Sequence, residues 1–202
     1  MLEFRLLYQG RLLGASRENT RPELKHAIRK EFHPQLKELW KTKSPLVERA
    51  KFTETKYEAD QLVHRKTGID LIADDFTKCG YRFVPVVTEK LHLRCALDIL
   101  FLRREEPGML IRSGDIDNRI KTVFDALKVP QNCSEIVGEK EEDEDPFFCL
   151  LEDDKLITEV RVTTDQLLML PSNSEMDAND AFLAITVKVK PTRLITGNLD
   201  FA

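Results

Sequence analysis

The chain has 202 residues, of which 42% are apolar and 33% charged, with 31 Lys+Arg against 35 Asp+Glu for a net charge of -4. That composition excludes collagen-like, mucin-like and wholly disordered classes, and a chain this long buries enough surface to fold without disulfides or a structural metal. No apolar stretch approaches the roughly 18 residues of a membrane span, and the acid and base at Glu3 and Arg5 argue against a secretory leader, so an intracellular, cytoplasmic protein with no membrane partner is expected.

The acidity is local: Glu139 to Asp145 holds six acids and one base, whereas residues 1–60 carry 13 basic and 9 acidic side chains. Cys79, Cys95, Cys133 and Cys149 form no C-x-x-C pair, and reduced, mostly packed thiols are expected.

In chain order, Leu2–Leu6 and Arg11–Leu13 suggest a short hairpin through Gln9-Gly10. Thr20-Arg21-Pro22-Glu23 fits a capping box, and Leu24, Ile28, Phe32, Leu36, Leu39 and Trp40 recur at helical spacing. Pro34 predicts a kink or break in that helix. Ser44-Pro45 then opens a second, basic helix predicted to reach His64. From Tyr81 the period becomes two residues. Tyr81–Val87, Leu91–Phe101, Leu156–Val162 and Leu183–Val189 read as strands, with Pro85 marking an edge or bulge. Ile116, Ile120, Val123, Phe124 and Leu127 give an amphipathic helix that ends before Pro130. The order predicts an α+β domain: a mixed, mainly antiparallel sheet with a packed helix. The whole chain, 1–202, reads as one such domain, carrying an N-terminal helical addition over 15–75 and an acidic inserted loop over 130–152.

The stretch from Arg112 to Leu127 is the most informative. Asp115 and Asp117 stand at the entry to its helix, and Asp117, Lys121 and Asp125 at i, i+4 and i+8 line its polar face. Carboxylates beside a cation suit a hard divalent ion and phosphate-ester chemistry. The same acids also suit helix capping and an exposed ion pair, and spacing alone leaves both readings open. A second acidic element, Glu152-Asp153-Asp154, enters a later strand and offers either a further ligand or a solvated rim.

The segment D-I-D-N-x-x-K-x-x-F-D-A-L, Asp115 to Leu127, followed by D-D-K-L-I, Asp153 to Ile157, resembles the signature of the RusA family of Holliday junction resolvases. The resemblance covers about residues 81–163 and implies a RusA-like fold and a homodimeric endonuclease of recombination and repair. Such an enzyme depends on Mg²⁺, with Mn²⁺ as a substitute, and nicks four-way or other branched DNA symmetrically. On this likeness Asp115, Asp117 and Asp154 would hold the metal and Lys121 would be the catalytic lysine. Asn118, Asp125 and Asp153 would support them, and Arg112 and Arg119 would approach DNA. The N-terminal helices and the long acidic connection go beyond the family pattern. The alternative is a noncatalytic nucleic-acid or partner-binding module that keeps the fold.

Other features are less specific. The basic face of 21–56, including Arg21, Lys25, Arg29, Lys37 and Lys41, is either a DNA contact or a solvated face. Phe147-Phe148 reads as an anchor of the acidic loop to the core in preference to a wedge between bases. An EF-hand is excluded because Arg119 replaces an oxygen ligand and the loop glycine is absent, and no Walker phosphate loop is present.

Overall fold

The computed structural model describes residues 1–15, 20–58, 61–104, 116–168 and 179–202. Its elements are β1 (Leu2–Arg11), α1 (Pro22–Thr42), α2 (Leu46–Lys51), β2 (Thr53–Glu58), β3 (Gln61–Thr67), α3 (Gly68–Asp75), β4 (Thr77–Lys78), β5 (Tyr81–Val87), β6 (Leu93–Arg103), α4 (Ile116–Leu127), β7 (Phe147–Leu151), β8 (Ile157–Gln166) and β9 (Asp180–Pro191). The architecture is α+β.

A four-stranded sheet runs in the order β1-β9-β6-β8, with β1 and β6 antiparallel to β9 and β8 parallel to β6. Alternation along β1 buries Leu2, Phe4, Leu6 and Tyr8 and leaves Glu3, Arg5 and Leu7 outside. The same period on β6 and β9 completes one apolar face. A smaller sheet, β4-β5-β7, pairs β5 with β7 in parallel. Because β4 covers only Tyr81 and Arg82, β5 is an edge at Pro85, where the missing amide costs no ladder bond.

Helix α1 packs on β1, β7 and α4 through the stripe Ile28, Phe32, Leu36 and Trp40. It runs unbroken through Pro34, contrary to the predicted kink. Pro34 sits on the exposed face, where water can satisfy the carbonyl it leaves unbonded, and the buried stripe holds the other side. The start also differs: the cap is Arg21, at φ 50° and ψ 54°, with Pro22 as the first helical residue. The residue before a proline avoids helical backbone, which moves the boundary off Thr20.

Two further corrections concern the first 75 residues. The N-terminal segment is one strand paired with β9, register Leu2↔Val189 to Arg11↔Asp180, not a local hairpin. The second helix ends at Lys51, and β2 and β3 form an antiparallel hairpin where helix was expected. Thr53 and Thr55, both β-branched, favour strand there. Thr67 then caps α3, its hydroxyl accepting from the Asp70 amide while the Asp70 carboxylate takes the Thr67 amide.

The connection after α4 is also more ordered than a loop. Phe147–Leu151 is a fully buried strand, and Phe147 and Phe148 sit in the core as expected. Cys79 and Cys133 form a disulfide, Cα–Cα 5.4 Å, which corrects the expectation of reduced thiols for that pair. Cys95 and Cys149 are buried free thiols, and burial pushes Cys95 up to about 12. Among the described residues no helix is long and apolar enough to cross a membrane.

Candidate functional site on helix α4

Apolar residues seat α4: Ile120, Val123, Ala126 and Leu127 are buried against the core. Its opposite face presents Asp117, Asn118 and Lys121 to solvent. Among the described residues none of these three side chains makes a hydrogen bond or ion pair. Arg119 points inward. It is 6% exposed and its guanidinium donates to the carbonyl of Leu12, so it ties the end of β1 to α4. The hydroxyl of Thr122 meets the Leu13 carbonyl at 3.0 Å and accepts from the Ala15 amide at 3.2 Å, which lays residues 12–15 along the helix. Arg112 and Asp115 lie outside the described residues.

The other end of α4 is densely paired. Asp125 is buried, with Lys25 Nζ at 2.7 Å from Oδ2 and Lys128 Nζ at 3.1 Å from Oδ1. The same Lys128 ammonium reaches Asp154 Oδ2 at 2.8 Å, so one cation holds two carboxylates. Burial alone would raise the Asp125 pKa, but the bonds from Lys25 and Lys128 outweigh it and hold the carboxyl below its ordinary range. Burial would likewise lower Lys128, and the bonds to Asp154 and Asp125 instead raise it. Arg29, 1% exposed, donates to the carbonyl of Asp125 at 2.8 Å and to that of Lys128 at 3.3 Å. Asp153 caps the following turn, accepting from the Lys155 amide at 3.0 Å and from Gln131 Nε2 at 2.9 Å.

Asp125, Asp153 and Asp154 therefore gather around the C-terminal end of α4. Asp117 starts the helix about 12 Å along its axis from Asp125, given 1.5 Å per residue. Among the described residues no group of three His, Cys, Asp or Glu side chains is gathered in a way that could hold a metal ion. The sequence does not single out Lys128, and it offers Lys25 and Arg29 only as part of a basic face. Their signal is faint: two bases four apart flanking an apolar stripe, and a lysine three residues after an acid.

The acidic connection docks on α1. Lys30 Nζ lies 2.8 Å from Glu141 and 2.9 Å from Glu144, and Lys37 Nζ donates to the Asp143 carbonyl at 2.8 Å. The Glu141 bond is the main reason that the Lys30 ammonium is held well above its ordinary pKa. His33 accepts from the Phe148 amide at Nδ1, 2.8 Å, and so donates from Nε2 to the Asp143 carbonyl at 3.2 Å, which requires the neutral Nε2-protonated ring. With Lys25 and Arg29 turned to α4, much of the basic face of α1 is neutralised within the chain. No family model matches this chain, and neither does any curated protein or solved structure with which it was compared.

Proposed function

We propose that the protein is a metal-dependent endodeoxyribonuclease that resolves Holliday junctions or other branched DNA by paired nicks, acting as a homodimer in the cytoplasm, in recombination and repair. The observation that carries this reading is the motif itself, D-x-D-N-x-x-K-x-x-F-D-A-L, of which Ile116 to Leu127 form a helix packed on α1 and β7 with Asp117 and Lys121 open to solvent. Lys128 draws Asp154, from the distant second motif, to the same helix.

The donor chemistry fits a hard divalent cation, since every proposed ligand is a carboxylate and the Lys128 ammonium already occupies a cation position at Asp154. The family likeness assigns Asp115, Asp117 and Asp154 to it; Asp154 lies with Asp125 at the far end of α4, about 12 Å along the axis from Asp117, so one ion would reach all three only if Asp154 left Lys128 and moved towards the start of the helix. A bound Mg²⁺ supplies charge neutralisation at the scissile phosphate and a more acidic water. The exposed Lys121 ammonium, one helical turn after Asp117, stabilises charge that develops on the phosphate oxygens. Asp125, neutralised by Lys25 and Lys128, orients Lys128 and has no free charge for a ligand. Two copies give two sites for two opposed strands, which one copy cannot supply.

A specific observation favours a second reading, a noncatalytic module that binds nucleic acid or a partner. Asp125 and Asp154 share an internal counter-ion, and the basic face of α1 is taken up by Glu141, Glu144 and Asp143. Labelled four-way junctions and matched linear duplex, incubated with wild type and Asp117→Asn in Mg²⁺ or EDTA, separate the two. The nuclease reading expects symmetric junction nicking that needs both the metal and Asp117. Junction binding without cleavage across several sequences and metals overturns it in favour of the module.

A further inference from the structure

A cavity of about 580 Å³ lies away from α4, between the end of α1, α2, α3, β5 and the C-terminal turn Thr196–Phe201. Its walls are apolar, chiefly Trp40, Leu46, Phe52, Ile72, Val86 and Phe201. The volume falls within the range that small-molecule sites occupy, and such sites pair apolar walls with a few placed polar groups.

The polar group here is Arg49. Its guanidinium carbon sits 5.1 Å from the centre of the Phe201 ring, and Nη2 donates to the Gly197 carbonyl. No carboxylate forms an ion pair with it among the described residues. Burial pulls its pKa below the usual value, and the nearby charge of Asp200 only partly offsets this. Lys90, at the same cavity, is already paired with Asp75 at 2.7 Å.

Arg49 Nε and Trp40 Nε1, both shut off from solvent, have no acceptor among the described residues. Gly68 lines the same cavity: a Cβ there would stand 1.9 Å from the Arg49 carbonyl oxygen, so only glycine lets α3 approach the α2 backbone this closely. A half-buried guanidinium with no ion-paired carboxylate, at the edge of an apolar cavity, suits an anionic head group.

We propose that this cavity binds a small organic carboxylate, its fatty or aryl body against Trp40, Ile72 and Val86 and its carboxylate on Arg49. Glu48 and Asp200 also line the cavity and would instead favour a cationic head group, so the charge of the head group decides the proposal. It is independent of the nuclease reading.

The chain's one tryptophan is the reporter. Wild type is titrated with decanoate, decanol and decyltrimethylammonium below their micelle concentrations, following Trp40 fluorescence and its indole N–H resonance. The expected result is a saturable response to decanoate, with decanol binding about tenfold or more weakly, the loss of one charge-assisted contact. Arg49→Gln abolishes that preference, Arg49→Lys keeps it, and Ile72→Phe, which narrows the cavity, weakens both ligands. No saturable response to decanoate, equal affinity for acid and alcohol, or a preference for the ammonium overturns the proposal. The head-group comparison on wild type decides the matter even if an Arg49 variant fails to fold.

Discussion

The two ends of helix α4 carry the same residue types in opposite states. At its start, Asp117 and Lys121 are exposed and unpaired among the described residues, although they stand four apart as an ion pair would. At its end, Asp125 and Lys128 are buried and joined to Lys25 and Asp154. Exposed charges four apart gain little from pairing, whereas a buried charge without a partner is costly. Pairing therefore marks where the chain needs charge for its fold, and open charge marks where it is available to a ligand.

Substitution at each end should separate those roles. Asp125→Ala strands Lys25 in a buried setting, leaves Lys128 with Asp154 alone, and should cost about 3–5 kcal/mol in urea unfolding. Asp117→Asn should leave stability within about 0.5 kcal/mol, because among the described residues its exposed side chain makes no hydrogen bond or ion pair. Equal losses at both ends would erase the distinction.

In sequence the disulfide follows the paired end. Cys133 follows Lys128 closely and closes a 54-residue separation onto Cys79 at the β4–β5 turn. Confining that loop in the unfolded chain stabilises the fold by about 4 kcal/mol on the loop-entropy account. Cys133→Ser, or dithiothreitol, should lower the unfolding midpoint accordingly, and an unchanged midpoint would show that the bond is not formed in the protein as isolated.

How much of this was legible beforehand follows from the range of each interaction. The β6, α4, β8 and β9 assignments needed only local period, and they stand with small shifts of boundary. The partner of β1 lies at the far end of the chain, so no local turn signal could reveal it. The β2–β3 hairpin failed for another reason: its polar composition obscures a two-residue period, and basic residues such as Lys56 and Lys66 suit a helix surface equally well. At the site, Asp117 and Lys121 were visible because a motif holds them at fixed spacing. Lys25 and Arg29 were read as part of a surface face, since burial of a cation depends on acids that lie about a hundred residues away.

Acid should also attack the paired end first. His26 is 3% exposed, and burial together with Arg29 and Lys30 lowers its pKa from 6.5 to about 4. Its Nδ1 stands 3.4 Å from Arg29 Nη1, where a neutral ring can accept and a protonated one cannot. Between those two values the unfolded chain binds the proton and the folded one does not, so stability falls as pH drops from about 6.5 towards 4, by at most about 1.4 kcal/mol per pH unit from this group. His33, also lowered chiefly by burial, adds in the same direction. Asp125 contributes below that window, since its depressed pKa keeps its stabilisation until the carboxyl protonates. His26→Phe should flatten the profile above pH 4, and an unaltered slope would assign the acid sensitivity elsewhere.

The smallest effect tests whether the two ends communicate. Lys128→Met leaves Asp125 paired with Lys25 and releases Asp154, whose side chain is already 39% exposed, to solvent. If Asp154 serves the same cation as Asp117, the variant should bind Mn²⁺ more tightly than wild type, because no internal ammonium competes for the carboxylate. Binding to the folded state alone raises its stability, so millimolar Mn²⁺ should lift the melting temperature of the variant by about 2–4 °C more than that of wild type, roughly 1 kcal/mol. Adding Asp117→Asn should cancel the difference if both acids meet one ion. A shift that survives Asp117→Asn would mean that Asp154 binds cations without the exposed end, and the two ends of α4 would then be separate sites.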